Sequence, residues 1–275
     1  MKNISVLITV FNRKEKTLFC LKQLYDSFDY FNQNKAFKLQ VYLTDDGSTD
    51  GTAGAVKMNY PEVIILHGNG NLFWNRGMIN SWQEAAKYNP DFYLWLNDDT
   101  HLNKEAFNIL FNDYNTLKDK SVILVGATKS KVDDAVTYSA EKDYKKLKPN
   151  NQLQLCDTFN GNFVFIPNSV YNKIGMLDSY YAHSLGDFAY GWKATRSNIK
   201  SYLLSDYIGY CEPNIGVKAC FDANVPLVKR LKNLYSPLGC NPKEFFHFDY
   251  NYFGLTQALK HYLSIHLKTF FPKLR

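Results

Sequence analysis

The residues able to carry chemistry in this chain come in short polar groups, each set directly after an apolar run. Leu94-Trp95-Leu96 runs into Asn97-Asp98-Asp99-Thr100, a second run ends in Asp45-Asp46-Gly47-Ser48-Thr49-Asp50-Gly51-Thr52, and a third ends in Phe11-Asn12-Arg13. Two adjacent carboxylates at the end of a buried strand repel each other unless a cation or hydrogen-bond donors offset them. Asp98 and Asp99 therefore suit a metal or phosphate-metal site built on oxygen ligands. A surface turn whose Asp caps a helix beginning near Lys104 is the other reading of the same residues.

The elements that must position these groups alternate in type. Residues 4–10, 39–44, 63–66, 92–96 and 122–127 read as strands. Residues 14–28, with Leu18, Leu21, Leu24, Tyr25 and Phe28 at helical spacing, read as a helix, as do 75–87 and 104–117. Ser48 to Asp50 offer caps for a further short helix, and His67-Gly68-Asn69-Gly70-Asn71 reads as a loop. This alternation predicts an α/β fold, Rossmann-like, with a mixed but mostly parallel central sheet flanked by helices. Ligands of such sheets bind beyond the carboxyl ends of the strands, so Asn12-Arg13, Asp45-Asp46 and Asp98-Asp99 are expected to converge on one crevice.

Further along, the lysine-rich residues 129–151 predict hairpin or loop excursions, and Gly161 leads into a strand ending near Pro167. Ser169 is expected to cap a short helix reaching Ile174 with Gly175 as its stop, and residues 185–197 include a helix opening on Gly186-Asp187. From about Val217 the chain is basic and aromatic, with Lys218, Lys229, Arg230, Lys232, Lys243, Lys260, Lys268, Lys273 and Arg275 against Asp222, Glu244 and Asp249. The expected organisation is one unit over 1–216 and a helical extension over 217–275.

Bulk properties narrow the class. A chain of 275 residues, 45% hydrophobic and 21% charged, is long enough for a sizeable core, and Tyr 20, Phe 20 and Trp 4 make it aromatic-rich. The net charge of +6 favours anionic partners, but the basic residues are dispersed and no zinc-finger, RRM or Walker A pattern is present, so nucleic acid is not an expected partner. Cys20, Cys156, Cys211, Cys220 and Cys240 are odd in number and widely spaced, which fits reduced thiols in the cytoplasm. The first apolar run is too short to span a bilayer and lacks a cleavage site, so it reads as a core strand.

Val6-Leu7-Ile8-Thr9-Val10-Phe11-Asn12-Arg13, Thr44-Asp45-Asp46-Gly47-Ser48 and Leu94-Trp95-Leu96-Asn97-Asp98-Asp99 resemble, in order and spacing, family 2 glycosyltransferases with the GT-A fold. The resemblance covers about the first two hundred residues and implies that 1–216 is the catalytic unit, with a nucleotide-binding half over about 1–100 and an acceptor half over about 101–216. It implies that Thr9, Phe11, Asn12 and Arg13 line a nucleotide pocket, that Asp46 with Asp45 and Gly47 contacts base or ribose, and that Asn97-Asp98-Asp99 stands for the Asp-x-Asp motif. There Asn97 and Asp98 meet the donor, while Asp99 and Asp98 hold a divalent cation, Mg²⁺ or Mn²⁺. Asn97 in place of the first carboxylate is shared with rhamnosyltransferase-like members. Asp187 matches the catalytic base, with Gly186 where an acidic residue is common. Asn71 to Gly77 aligns with a donor-contacting loop, giving Asn75 and Arg76 as donor-binding residues; Trp74 reads as core. Gly161 and Asn162, with His183 and Gly186, fall at the sugar or acceptor side. His101 and His247 are weaker metal candidates.

The activity this implies is inverting transfer of a sugar from a nucleotide diphosphate to a hydroxyl of a saccharide or lipid-linked glycan, as in bacterial polysaccharide biosynthesis at the cell envelope. The C-terminal helices either pack on the catalytic unit or make peripheral contact with the inner face of the cell membrane. A homodimer is left open. A sugar nucleotidyltransferase would place a glycine-rich signature where Phe11-Asn12-Arg13-Lys14 has none, and no Gly-x-Gly-x-x-Gly supports a dehydrogenase. A glycan-binding protein on a degenerate GT-A fold is the non-enzymatic alternative.

Overall fold

The computed structural model describes residues 1–213 and 216–273, so Arg275 of the basic segment lies outside the described residues. The chain order is β1 (Lys2–Val10), α1 (Lys14–Phe31), β2 (Phe37–Asp45), α2 (Thr52–Asn59), β3 (Ile64–His67), α3 (Phe73–Ala86), β4 (Phe92–Leu96), β5 (His101–Leu102), α4 (Ala106–Thr116) and β6 (Ile123–Lys129). It continues through β7 (Ala140–Lys142), β8 (Lys145–Lys146), β9 (Gln154–Cys156), β10 (Thr158–Phe159), β11 (Phe163–Pro167), α5 (Asn168–Ile174), α6 (Gly186–Arg196) and β12 (Ser201–Tyr210). Helices α7 (Leu227–Leu234), α8 (Pro242–Phe253) and α9 (Leu255–Phe270) complete it.

Among the described residues the main sheet has nine strands in the order β3-β2-β1-β4-β11-β6-β12-β5, with β9 also on β12. Strands β3, β2, β1 and β4 are parallel, and β11 runs antiparallel between β4 and β6. The sheet is thus α/β and mostly parallel, as expected. Its strand order reverses between β1 and β4, the place where the ends of neighbouring strands diverge and leave a crevice.

The central strands β1 and β4 are buried on both faces. Alternate residues of β1 and β4 go to opposite cores: Ile4, Val6, Ile8, Val10, Leu94 and Leu96 pack with α1 and α4, while Leu7, Tyr93 and Trp95 pack with α3, α5 and α6. Helix α1 turns Thr17, Cys20, Leu21, Leu24 and Phe28 inward at three- and four-residue spacing.

Two local expectations change. Ser169 does not cap α5; its hydroxyl is bonded to Ser121 Oγ at 2.6 Å, and the helix starts directly after Pro167. Gly175 does close α5, at φ 70° with its N–H donated to Tyr171 O. None of Ser48 to Asp50 is the N-cap of α2, which is Gly51; Asp50, one residue earlier, accepts the Thr52 N–H at 3.0 Å.

Residues 217–273 contribute α7, α8, α9 and a small core of Cys220, Leu234, Cys240 and Ile265. They are fastened to the rest by Tyr252 Oη donating to Ala189 O at 2.9 Å and by the stacking of Tyr180 on His247 at 3.8 Å.

Candidate active site

A cleft of about 500 Å³ opens over the carboxyl ends of β1, β2 and β4. Thr9, Phe11 and Arg13 line it from the first strand end, Asp46 from the second, and Asn97, Asp98 and Asp99 from the fourth. The turn at the end of β2 is tied to the one at the end of β1. Asn12, held at φ 50°, accepts the Thr49 N–H on its side-chain oxygen at 2.7 Å, and the Asn12 N–H donates to Ser48 Oγ at 2.9 Å. Asn tolerates this left-handed conformation better than most side chains.

Asp46 is buried and its two oxygens accept three backbone N–H groups, from Gly70, Leu72 and Phe73, each at 2.9 Å. This carboxylate fixes the loop that leads into α3. Asp45 accepts the Ser48 N–H at 2.9 Å and serves the turn. Gly47, at φ 80°, sits against the backbone of Gly70, where a side chain would have to displace the neighbouring loop.

At the end of β4 the charges are handled differently. Arg13 donates to Asp98 Oδ1 at 3.0 Å and to Asp99 Oδ2 at 2.8 Å, with 40% of its own side chain exposed against 6% for Asp98 and 22% for Asp99. Burial raises Asp98 to a pKa of about 6, with Arg13 opposing and Asp99 reinforcing that rise. Burial also works against the Arg13 charge, but the two carboxylates more than offset it and its pKa lies above the ordinary value. Cys211, buried behind the pair, points its thiol at Asp99 Oδ1 at 3.7 Å.

Asn97 is committed elsewhere. Its side-chain oxygen accepts the Trp74 indole N–H at 2.7 Å, and its backbone N–H donates to Asn162 O at 3.1 Å. An aspartate would also accept that indole proton, but would add a third charge beside Asp98 and Asp99.

Asp187 faces the same cleft from the first turn of α6. Its Oδ2 accepts the Gly161 N–H and its Oδ1 the Phe188 N–H, at 2.8 and 2.9 Å. Burial raises its pKa to about 6 although those backbone donors oppose it. The preceding Leu185 is held at φ 70°, and Phe73, across the cleft, at φ 56°. Positive φ in such side chains costs on the order of 1–3 kcal/mol, strain that concentrates where a ligand must be met. His183 lines the cleft with Nδ1 buried and without a hydrogen-bond partner among the described residues. Burial, helped by Lys218 and Arg13, lowers its pKa.

The sequence model of Glycosyl transferase family 2 matches residues 5–175, more than half of the chain and the whole region carrying these strand ends. The chain belongs to glycosyl transferase family 2. No curated protein matches it. Among solved structures it is similar to S. aureus TarS 1-349, with a TM-score of 0.56 at 15% identity over 97% of this chain and 72% of that one. TarS 1-349 in complex with UDP-GlcNAc gives 0.58 at 14% identity over 100% and 76%. The mannosyltransferase PcManGT from Pyrobaculum calidifontis, in complex with GDP-Man and Mn²⁺, gives 0.53 at 15% over 95% and 73%. The shared architecture is the GT-A fold.

Set in that family, the expected site residues divide. Thr9, Phe11, Arg13, Asp46, Asn97, Asp98, Asp99, Asn162, His183 and Asp187 are brought to one cleft. Asn75 is not among its lining residues: fully buried, it donates to Asp178 O and Tyr181 O at 2.8 and 2.7 Å. Gly186 belongs to that same packing, because a side chain there would collide with Asn75 Oδ1. Arg76 is exposed and contacts Ser179 O at 3.4 Å. Gly161 is closed off by Trp74, whose ring lies 2.5 Å from where a β-carbon would stand. Trp74 itself lines the cleft as well as meeting Trp95 edge-on.

Sequence reasoning missed Tyr138, Asn160, Phe188 and Leu238, which also line the cleft. Tyr138 comes from the segment expected to wander away from the core and Leu238 from the C-terminal extension. Neither has a motif of its own. Asp98 and Asp99, with phosphate and water oxygens, are a fitting donor set for a hard divalent cation. Among the described residues no cluster of three or more His, Cys, Asp or Glu side chains is arranged to hold a metal by itself.

Proposed function

We propose that this protein catalyses inverting, cation-assisted transfer of a sugar from a nucleotide diphosphate donor to a hydroxyl of a saccharide or lipid-linked glycan. The observation that carries it is the presence, in one cleft, of a raised-pKa carboxylate at Asp187 and of an acidic pair, Asp98-Asp99, held by one partly exposed arginine.

In this reading the donor lies across the ends of β1 and β4 with its diphosphate toward Arg13. The guanidinium then turns from the acidic pair to the phosphates, which accept its planar fork of donors. A divalent cation at Asp99 and Asp98 would neutralise charge developing on the leaving diphosphate. On the other side the acceptor hydroxyl sits against Asp187. As its oxygen forms a bond to the anomeric carbon, the bond from that carbon to the diphosphate oxygen breaks and the hydroxyl proton passes to the Asp187 carboxylate. Attack opposite the leaving group inverts the anomeric configuration. Gly161 and Phe188, by donating to Asp187, keep its oxygens in place. His183 and Asn162 supply hydrogen-bonding groups near the transferred sugar or the acceptor.

A glycan-binding protein without catalysis is the second reading, motivated by Asn97 and Gly186. Both substitutions have a packing reason, the Trp74 indole for one and Asn75 for the other, so neither requires loss of the base or of the acidic pair. The deciding experiment incubates the protein with a panel of UDP-, GDP- and dTDP-sugars, with Mn²⁺, Mg²⁺ or chelator. Cation-dependent turnover of one donor, lost in Asp187→Asn, is the expected result. Saccharide binding with no turnover of any donor would overturn it, and a rate unaffected by chelation would remove the cation.

A further inference from the structure

Away from the cleft, α9 carries a surface that the fold itself does not use. Leu255, Leu259, Leu263 and Leu267 recur at every fourth position and are 54%, 48%, 60% and 59% exposed; Phe270 and Phe271 continue the row. At roughly 100° per residue each step of four advances only about 40°, so the four leucines form one continuous stripe along the helix. The face that docks is a different one: Ala258, Ile265 and Thr269 are buried, and Ile265 joins the small core of the extension. The helix is therefore already anchored, and its leucine stripe is left over. Contiguous apolar surface of this kind marks a partner.

The charge around the stripe selects that partner. Lys260, Lys268 and Lys273 on the same segment are exposed, and elsewhere in the extension so are Lys229 and Lys232 on α7 and Lys243 on α8. The acidic residues of the extension are withdrawn: Glu244 is buried beneath the Ala182 N–H, Asp249 is buried and bonded to His261 at 2.6 Å, and Asp222 is half-buried. The outward charge is thus positive. No described helix is long and apolar enough to cross a membrane. An apolar stripe flanked by lysines on a helix lying flat is the arrangement that binds an anionic bilayer surface.

We propose that α9 lies in the headgroup layer of an anionic lipid bilayer, with Leu255, Leu259, Leu263 and Leu267 toward the acyl chains and the lysines on lipid phosphates. The same extension reaches the cleft, since Leu238, 60% exposed, is one of its lining residues. A lipid-borne acceptor would then enter between Leu238 and Asp187, a consequence that rests on the transferase reading, whereas the surface itself rests on α9.

The test is co-sedimentation with phosphatidylcholine vesicles with and without phosphatidylglycerol, for the parent, Leu259→Glu/Leu263→Glu and Lys260→Gln/Lys268→Gln. All four positions are exposed, and unchanged circular-dichroism melting would verify folding. The parent should pellet with the anionic vesicles and release with added salt, and each double variant should bind about tenfold less or weaker still. A parent that stays in the supernatant overturns the proposal, as do variants that pellet like the parent. So does a dimer in sedimentation velocity that the leucine variant dissociates while no form binds vesicles, which would assign the stripe to a second copy of the chain. Thermal shifts with sugar nucleotides on the same samples separate the two readings. Vesicle binding by a parent that no sugar nucleotide stabilises would uphold the surface and sink the transferase.

Discussion

The chain has two acidic strand-end turns, Asp45-Asp46 after β2 and Asp98-Asp99 after β4, and the fold treats them in opposite ways. The first is neutralised by the backbone: Asp46 takes three N–H groups and Asp45 one, all at 2.9 Å. Those donors are covalently fixed, so the charges organise a loop. At the second turn the counter-charge is the side chain of Arg13, long and partly exposed. Residue types this similar become a structural clamp in one place and, on the function proposed above, a cation site in the other. The difference lies in whether the offsetting charge is fixed or movable.

The sharpest way to break that contrast is to remove one carboxylate from each turn. Asp99→Ala should lower kcat/KM for the turned-over donor by about a thousandfold while leaving the urea midpoint near the parent value. Asp46→Ala should do the reverse in kind, costing about 3 kcal/mol in urea unfolding because the N–H groups of Gly70, Leu72 and Phe73 lose their acceptor in a buried loop. Similar profiles for the two variants would show that the turns are alike after all.

Arg13→Gln tests the movable half directly. With the guanidinium gone, Mn²⁺ should bind about tenfold more tightly in the absence of donor, read by calorimetry, and sugar nucleotide should bind more weakly. Unchanged Mn²⁺ affinity would mean that Arg13 does not compete for the acidic pair.

The pH behaviour adds a smaller effect with a defined sign. Asp98 and Asp187 carry pKa values raised from 3.8 to about 6, so between those limits the native state holds protons that the unfolded chain has released. Stability should therefore decline as pH rises from about 4 to about 6 and then level, followed by thermal melting. The reaction runs the other way: kcat/KM should climb about tenfold per pH unit up to about 6, as Asp187 loses its proton, and then reach a plateau. A rate independent of pH across this range would remove Asp187 as base. The mildest change expected is Asn97→Ala, about five- to tenfold in rate, because Asn97 orients Trp74 and β4 and holds no charge.

Much of this was legible in order along the chain. The apolar run 92–96 and the acidic turn behind it lie together in sequence, as do 4–10 with Asn12-Arg13, so local pattern defined each strand and its polar end. Other roles were decided by contacts between residues far apart. Asn75 reads as a donor-loop residue until its amide is seen on Asp178 and Tyr181, about a hundred positions away, and Gly186 reads as a lost carboxylate until Asn75 is seen filling its space. Leu238 and Tyr138 reach the cleft from segments with no pattern that points to it.

By itself, the sequence determined the alternation of elements, the mostly parallel sheet, the family, and the polar groups at the strand ends, because periodicity and short motifs are local properties. Only the tertiary structure decided which acidic turn is held by backbone N–H groups and which by the Arg13 side chain, why Asn97 and Gly186 stand where they do, and which face of α9 is left bare. Each of those depends on which distant donor, side chain or void is brought against a residue, and folding alone sets that.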